Sequence, residues 1–206
     1  MQALLKDGAK QMGIELAPEQ TVKLLQYLEL IIKWNKTYNL SAIRDQQQGI
    51  KKHLLDSLSI TPYIKSGALL DVGSGAGLPG IVISIMQPEL AVSVLDTVGK
   101  KCRFMQFAKT QLKLKNLTVI NQRVEDYQPE QCFKQITSRA FASIDKTIEL
   151  TQHLLCDDGR YLLMKGLNFE QEGLTKDVKI HQLSVPNVSD NRFLLEIKKN
   201  KIRKIK

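Results

Sequence analysis

Gly73, Gly75, Gly77 and Gly80 crowd into eight positions, with a carboxylate two residues ahead at Asp71 and another 25 residues beyond it at Asp96. Glycine has no Cβ and accepts positive φ, so such a loop turns sharply and lets a ligand lie against its backbone. The spacing Gly75-x-Gly77-x-x-Gly80 suits a nucleotide cofactor, and two cofactor chemistries use it. In a dinucleotide fold the glycines hold a pyrophosphate. Asp71 would repel that group but would receive the ammonium of an amino-acid moiety, which favours S-adenosyl-L-methionine (SAM). Asp96 stands where a carboxylate meets ribose hydroxyls in either case. The plain alternative is a glycine turn in an ordinary α/β protein with two solvated strand-end acids.

Other residues extend the candidate chemistry. Arg139 and Lys165 fall at the carboxyl ends of predicted strands, the edge where open α/β sheets bind ligands, so both are candidate contacts. Val124 and Glu125 follow another predicted strand, where an acidic side chain and a backbone amide can bracket an adenine. His53, Asp56 and Ser57 share one face of a predicted helix and can pair locally. They lack the strand-to-helix elbow of a nucleophile set, which leaves a structural hydrogen-bond network or a face lining the cofactor pocket. The stretch Trp34 to Ser41 mixes rings, amides and a lysine. It can stack on an unpaired base, or Trp34 and Tyr38, four apart, can close a helix end against the core.

A parallel sheet is needed to hold these groups. Ala68 to Val72 is an apolar run that reads as a buried strand feeding the glycine loop, followed by a helix from Ile81 to Met86. Strands then follow at Ala91 to Asp96, Leu117 to Gln122, Ile136 to Ala142 and Gly159 to Gly166, with helices at Lys100 to Leu114 and Ile144 to Leu155 between them. Ile180 to Pro186, the turn Asn187 to Asn191, and Arg192 to Lys198 read as an antiparallel hairpin. The predicted class is α/β and Rossmann-like, with a seven-stranded, mostly parallel sheet over 66–206. Residues 1–65 form an N-terminal helical extension, in which Val22, Leu25, Leu28 and Ile32 recur at helical spacing.

Composition narrows the rest. With 206 residues, 43% of them hydrophobic, the chain can bury one good core. No run is long enough for a membrane span and Met1 to Gln11 lacks a signal-peptide core, so a cytoplasmic protein without membrane attachment is expected. Cys102, Cys132 and Cys156 are odd in number and far apart, which predicts reduced packing thiols and neither a disulfide framework nor a metal site. Of the net charge of +9, six charges sit between Lys198 and Lys206 with no acid among them. That basic tail suits phosphates or simple solubility.

The motifs WNKTYNLS (Trp34 to Ser41), HLLDSL (His53 to Leu58), LLDVGSGAGLPGI (Leu69 to Ile81), DTVGKK (Asp96 to Lys101), SRAFA (Ser138 to Ala142) and KG (Lys165, Gly166) together resemble the bacterial RNA guanine-N7 methyltransferases, also called glucose-inhibited division protein B. The likeness covers nearly the whole chain. Ser41 and Thr97 stand where Thr and Ser are expected, and both keep the hydroxyl. The resemblance implies a class I methyltransferase fold and methylation of 16S ribosomal RNA, or the small subunit that contains it, at a guanine in the 530 loop. It also implies SAM contacts at Gly73, Leu78, Val124, Glu125 and Arg139, to which the physical reading adds Asp71, Gly75 and Asp96. Candidate RNA contacts are Trp34, Asn39, His53, Asp56, Lys100, Lys101 and Lys165. Because N7 of guanine carries a lone pair and no proton, no general base and no metal is expected. Two other readings stay open: a nicotinamide-dependent oxidoreductase on the same loop, and a non-catalytic RNA-binding protein using the helical arm and tail.

Overall fold

The computed structural model describes residues 1–167, 169, 177–186, 188 and 190–202. Its seven-stranded sheet has the order β3-β2-β1-β4-β5-β7-β6, formed by β1 (Leu69–Val72), β2 (Val92–Asp96), β3 (Leu117–Asn121), β4 (Phe133–Arg139), β5 (Leu155–Lys165), β6 (Lys179–Leu183) and β7 (Arg192–Lys198). The first five are parallel, while β7 runs antiparallel to both β5 and β6. The chain reverses its direction of travel across the sheet between β1 and β4. That switch point opens a crevice at the carboxyl edge, where ligands of such sheets bind.

Strand alternation divides the core between the two faces. Leu69, Val94, Leu162 and Leu194 pack on one face beneath α5 (Gly80–Met86) and α6 (Gly99–Gln111), and Leu70, Val72, Leu163 and Leu195 pack on the other beneath α7 (Ile144–Thr151). The N-terminal helices α1 (Gln2–Gln11) and α2 (Pro18–Tyr38) join the first of these clusters through Leu5, Leu24, Tyr27 and Ile31. Tyr27 Oη donates to the Ala76 carbonyl in the glycine loop at 2.7 Å, so α2 also fixes the loop. After α2, the short α3 (Gln46–Gly49) runs into a π-helical stretch, Ile50–Leu55, and then α4 (Asp56–Leu58). Wide turns of this kind occur often at functional sites, and this one carries Lys52 and His53.

Several boundaries moved. The helix expected to reach Leu155 ends at Thr151 and β5 starts at Leu155, four residues before the predicted Gly159. Phe133 pairs with Leu155, so Cys132 and Cys156 lie with Cα atoms 5.0 Å apart and form a disulfide, against the expectation of reduced thiols. The 24-residue separation along the chain hid a contact that strand register creates. Cys102 is the free thiol, buried. Residues 187 and 189 of the predicted turn, and Arg203, Lys204 and Lys206 of the tail, lie outside the described residues.

Candidate active site

Two cavities open side by side at the carboxyl edge, and Ala140 and Phe141 line both. The first, about 360 Å³, lies over the glycine loop and is walled by Gly73, Asp96, Lys101, Val124 and Glu125. The second, about 580 Å³, is walled by Lys52, His53, Asp56, Arg139, Lys165 and Arg192, with Met164 and Gly166 beside them.

The loop at the first cavity is set from both sides. Gly73 and Gly75 hold φ of +67° and +61°, where a Cβ is strained. A Cβ on Gly75 would meet nothing within 4 Å, whereas one on Gly73 would come within 2.5 Å of the Phe141 ring. The Gly75 amide donates to Asp96 Oδ2 at 2.9 Å, the Val98 amide to Asp96 Oδ1 at 2.9 Å, and Lys101 stands 3.6 Å from the same carboxylate. Val124 is buried and Glu125 is exposed at the rim. These residues fit SAM: open space beside a backbone without Cβ, a fixed carboxylate for ribose hydroxyls, and an apolar wall for a base.

Asp71 is placed differently from the expectation of a ligand contact. It is fully buried, lines neither cavity, and accepts from the Gly80 amide through Oδ2 at 2.8 Å. Oδ1 has no hydrogen-bond partner. Burial pushes its carboxyl up to about 7, opposed by the Gly80 hydrogen bond. Asp71 therefore holds the loop from behind. Leu78 is likewise buried and lines neither cavity.

The second cavity is organised by charge. Asp56 accepts from Arg139 Nη1 at 2.9 Å through Oδ2 and from Arg192 Nε at 3.2 Å through Oδ1, and Arg139 Nη1 also donates to the Lys52 carbonyl at 3.2 Å. Arg192, at the start of β7, went unnoticed in the sequence because its partner lies 136 residues away. Phe141 lies within the SRAFA motif, but nothing in that motif marks it as a wall shared by two cavities. Lys165 Nζ donates to the Ala142 carbonyl at 2.7 Å. His53, Asp56 and Ser57 do not pair with one another. His53 Nε2 instead meets Ser41 Oγ at 2.8 Å, and Ser57 Oγ is buried without a partner. Burial, reinforced by the Arg139 charge, lowers the imidazole to about 4, so His53 is neutral at neutral pH.

The aromatic stretch divides in two. Trp34 stands half-buried against Phe104 and Phe107 of α6, with ring centroids 5.5 and 5.3 Å away, and the tilted ring of Tyr38 packs against it at 5.1 Å. Asn35 holds the next loop, its amide donating to the carbonyls of Ser41 and Ile43 at 2.7 and 3.0 Å. Asn39 ends α2 in the left-handed region and is exposed. Trp34, Asn39 and Lys100 line neither cavity. Among the described residues no cluster of three or more His, Cys, Asp or Glu is arranged to hold a metal, and no helix is long and apolar enough to cross a membrane.

The strand order, with β7 antiparallel between β5 and β6, is that of the Rossmann-like class I SAM-dependent methyltransferases, and the glycine loop after β1 and the carboxylate closing β2 suit a nucleoside cofactor. The same fold is seen in ribosomal protein L11 methylase from Lactobacillus delbrueckii subsp. bulgaricus (TM-score 0.56, 16% identity, 75% of this chain and 80% of that one). It recurs in a SAM-dependent methyltransferase from Aquifex aeolicus (TM-score 0.53, 17% identity, 70% and 90%). Residues 20–199 match the model of the family GidB, rRNA small subunit methyltransferase G, and the chain belongs to that family. It is 64% identical to ribosomal RNA small subunit methyltransferase G of Ruthia magnifica over 97% of this chain and 98% of the relative. It is 48% identical to the protein of that name in Methylobacillus flagellatus over 95% and 97%. The nicotinamide and non-catalytic readings find no support in these likenesses.

Proposed function

We propose that the protein methylates N7 of a guanine in the 530 loop of 16S ribosomal RNA in the cytoplasm, using SAM. The observation that carries this reading is a pair of cavities sharing the Ala140–Phe141 wall, in a chain of the rRNA small subunit methyltransferase G family. Gly73, Gly75, Asp96, Val124 and Glu125 hold the cofactor, and Arg139 stands in the neighbouring cavity, next to the shared wall. The target base enters the second cavity.

Bound SAM supplies an electrophilic methyl group. N7 has a lone pair and no proton to lose, and it would take the methyl as the S–CH3 bond breaks and S-adenosyl-L-homocysteine leaves, so the chain's residues need only position and desolvate, effects that supply about 7 to 11 kcal/mol when geometry is good. The second cavity suits that task. His53 is neutral and engaged with Ser41, and Asp56 is clamped between two arginines, so neither is poised to take a proton. Guanine must be unpaired or drawn from its stack to enter.

The test incubates the full chain with SAM and with naked 16S RNA or the assembled small subunit, then maps N7-methylguanosine by borohydride–aniline strand cleavage. Cleavage at one guanine of the 530 loop is expected, and methyl transfer to another atom or helix would overturn the assignment. With saturating cofactor, the single-turnover rate should be nearly flat from about pH 6 to 9, since N7 needs no deprotonation and the sulfonium does not titrate. A base-limited profile would contradict a base-free transfer.

A further inference from the structure

The amino-terminal edge of the sheet carries a third concavity, of about 740 Å³, that the methyl transfer does not use. Its floor is rigid and internally balanced. Arg160 Nη1 donates to Glu196 at 2.7 Å, and Nη2 donates to the Tyr63 carbonyl at 2.8 Å and to Gln135 Oε1 at 3.0 Å. His181 Nε2 lies 3.1 Å from the other oxygen of Glu196, and its ring packs on Tyr63 with centroids 4.5 Å apart.

The rim is unbalanced. Lys65, Lys179, Lys198 and Lys201 line it and the one acid beside them is Asp177, which leaves three net positive charges over a neutral floor. Elsewhere Lys23, Lys101, Lys134, Lys146 and Lys199 each stand within 4 Å of a carboxylate. Among the described residues the four rim lysines come from three separate segments and none has such a partner. Like charges gathered on a concave wall repel one another and focus a positive potential, an arrangement suited to a polyanion.

We propose that this concavity is a second RNA-binding site, which takes phosphodiester groups of the substrate on the side of the sheet opposite the methyl transfer. The choice of RNA as the polyanion rests on the proposed function, whereas the phosphate chemistry rests on the lysines alone. Arg160 and Lys165 mark the two edges on one strand, five residues apart, or about 17 Å at strand rise, so a folded RNA can touch both. Contacts of this kind fix register and orientation without reading sequence.

The experiment replaces Lys65, Lys179, Lys198 and Lys201 with Gln in the full chain and measures affinity for a 16S RNA fragment containing the 530 loop across a salt series. Each phosphate contact contributes about 0.7 to 0.9 to the slope of log affinity against log salt. The slope should become shallower by about 1 to 3, with weaker binding at low salt and unchanged SAM affinity and single-turnover rate at saturating RNA. Lys-to-Arg replacements at the same four positions should keep the parent slope. A control with Lys6, Lys10, Lys113 and Lys115 changed to Gln, exposed lysines elsewhere, should also keep it. An unchanged slope in the rim variant, or an equal change in the control, would overturn the site. The two readings fail separately: a parent that binds steeply but does not methylate defeats the proposed function, and a parent that methylates while the rim variant keeps its slope defeats this one.

Discussion

The cavity over the glycine loop draws on backbone amides and apolar side chains from consecutive strand ends, whereas its neighbour is set by ion pairs joining residues 83 and 136 positions apart. The first is rigid because neighbouring residues in sequence make it: Asp71 and Asp96 each hold a loop amide a few residues or one βα unit away. The second is assembled only when the π-helical stretch, β4 and β7 come together around Asp56. Sequence-local construction gives a site that tolerates little change in the backbone. Long-range construction gives one whose weak point is a single shared carboxylate.

The largest effect expected is at the loop. Gly75→Val should abolish SAM binding in calorimetry, because its side chain takes the open space beside the loop backbone that a ligand would use, while the left-handed backbone costs about 1 to 3 kcal/mol. Gly73→Val should also abolish binding and cost more stability, since its Cβ meets Phe141. A Gly75→Val protein that folds and binds SAM normally would remove the cavity from consideration.

Arg139→Ala tests the other construction. Asp56 keeps Arg192, so stability should fall by only about 1 to 2 kcal/mol, while loss of alignment should lower turnover by about a hundredfold. A large drop in Tm with normal turnover would make Arg139 a structural residue. Trp34→Ala should lower stability by about 2 kcal/mol, below the ~3 to 5 of a fully buried Trp, and leave RNA affinity of the folded protein unchanged. If RNA affinity falls while stability holds, Trp34 reads a base after all.

The smallest net effect expected in the parent is in pH, because two opposing contributions meet. Asp71 has a raised folded pKa, so its contribution is present below the ordinary carboxylate value and is lost as pH rises through about 7. His53 has a lowered one, so its contribution is present above the ordinary imidazole value and is lost as pH falls through about 4. Between about 4 and 6.5 the two slopes oppose each other and the parent should show little net change. Asp71→Asn should expose the His53 slope, with stability rising with pH over that window in urea titrations. A flat Asp71→Asn profile would refute the assignment to His53.

The difference between the cavities also explains what could be read from residues alone. That Gly73, Asp96, Val124 and Glu125 gather at one cavity was legible because strand, turn and strand lie within one repeating pattern. Arg139 and Lys165 were found by the rule that places ligands at strand carboxyl ends. Arg192 and the Cys132–Cys156 bond were not, because each depends on a partner that only the folded chain brings near, Asp56 across 136 residues and a thiol set opposite by the pairing of β4 with β5. Asp71 misled for a related reason: its spacing from the glycines is the same whether the side chain faces a ligand or, as here, the amide behind the loop.

The hydrogen bond from Tyr27 to the Ala76 carbonyl, together with the apolar face that α2 shares with α5 and α6, bears on how this protein can be altered. The helical arm cannot be traded as a cassette between methyltransferases to change their targets. A chimera joined after residue 65 would strip the cover from Ile81 and Phe104 and release the loop that holds the cofactor, so retargeting has to be done at the rims of the cavities.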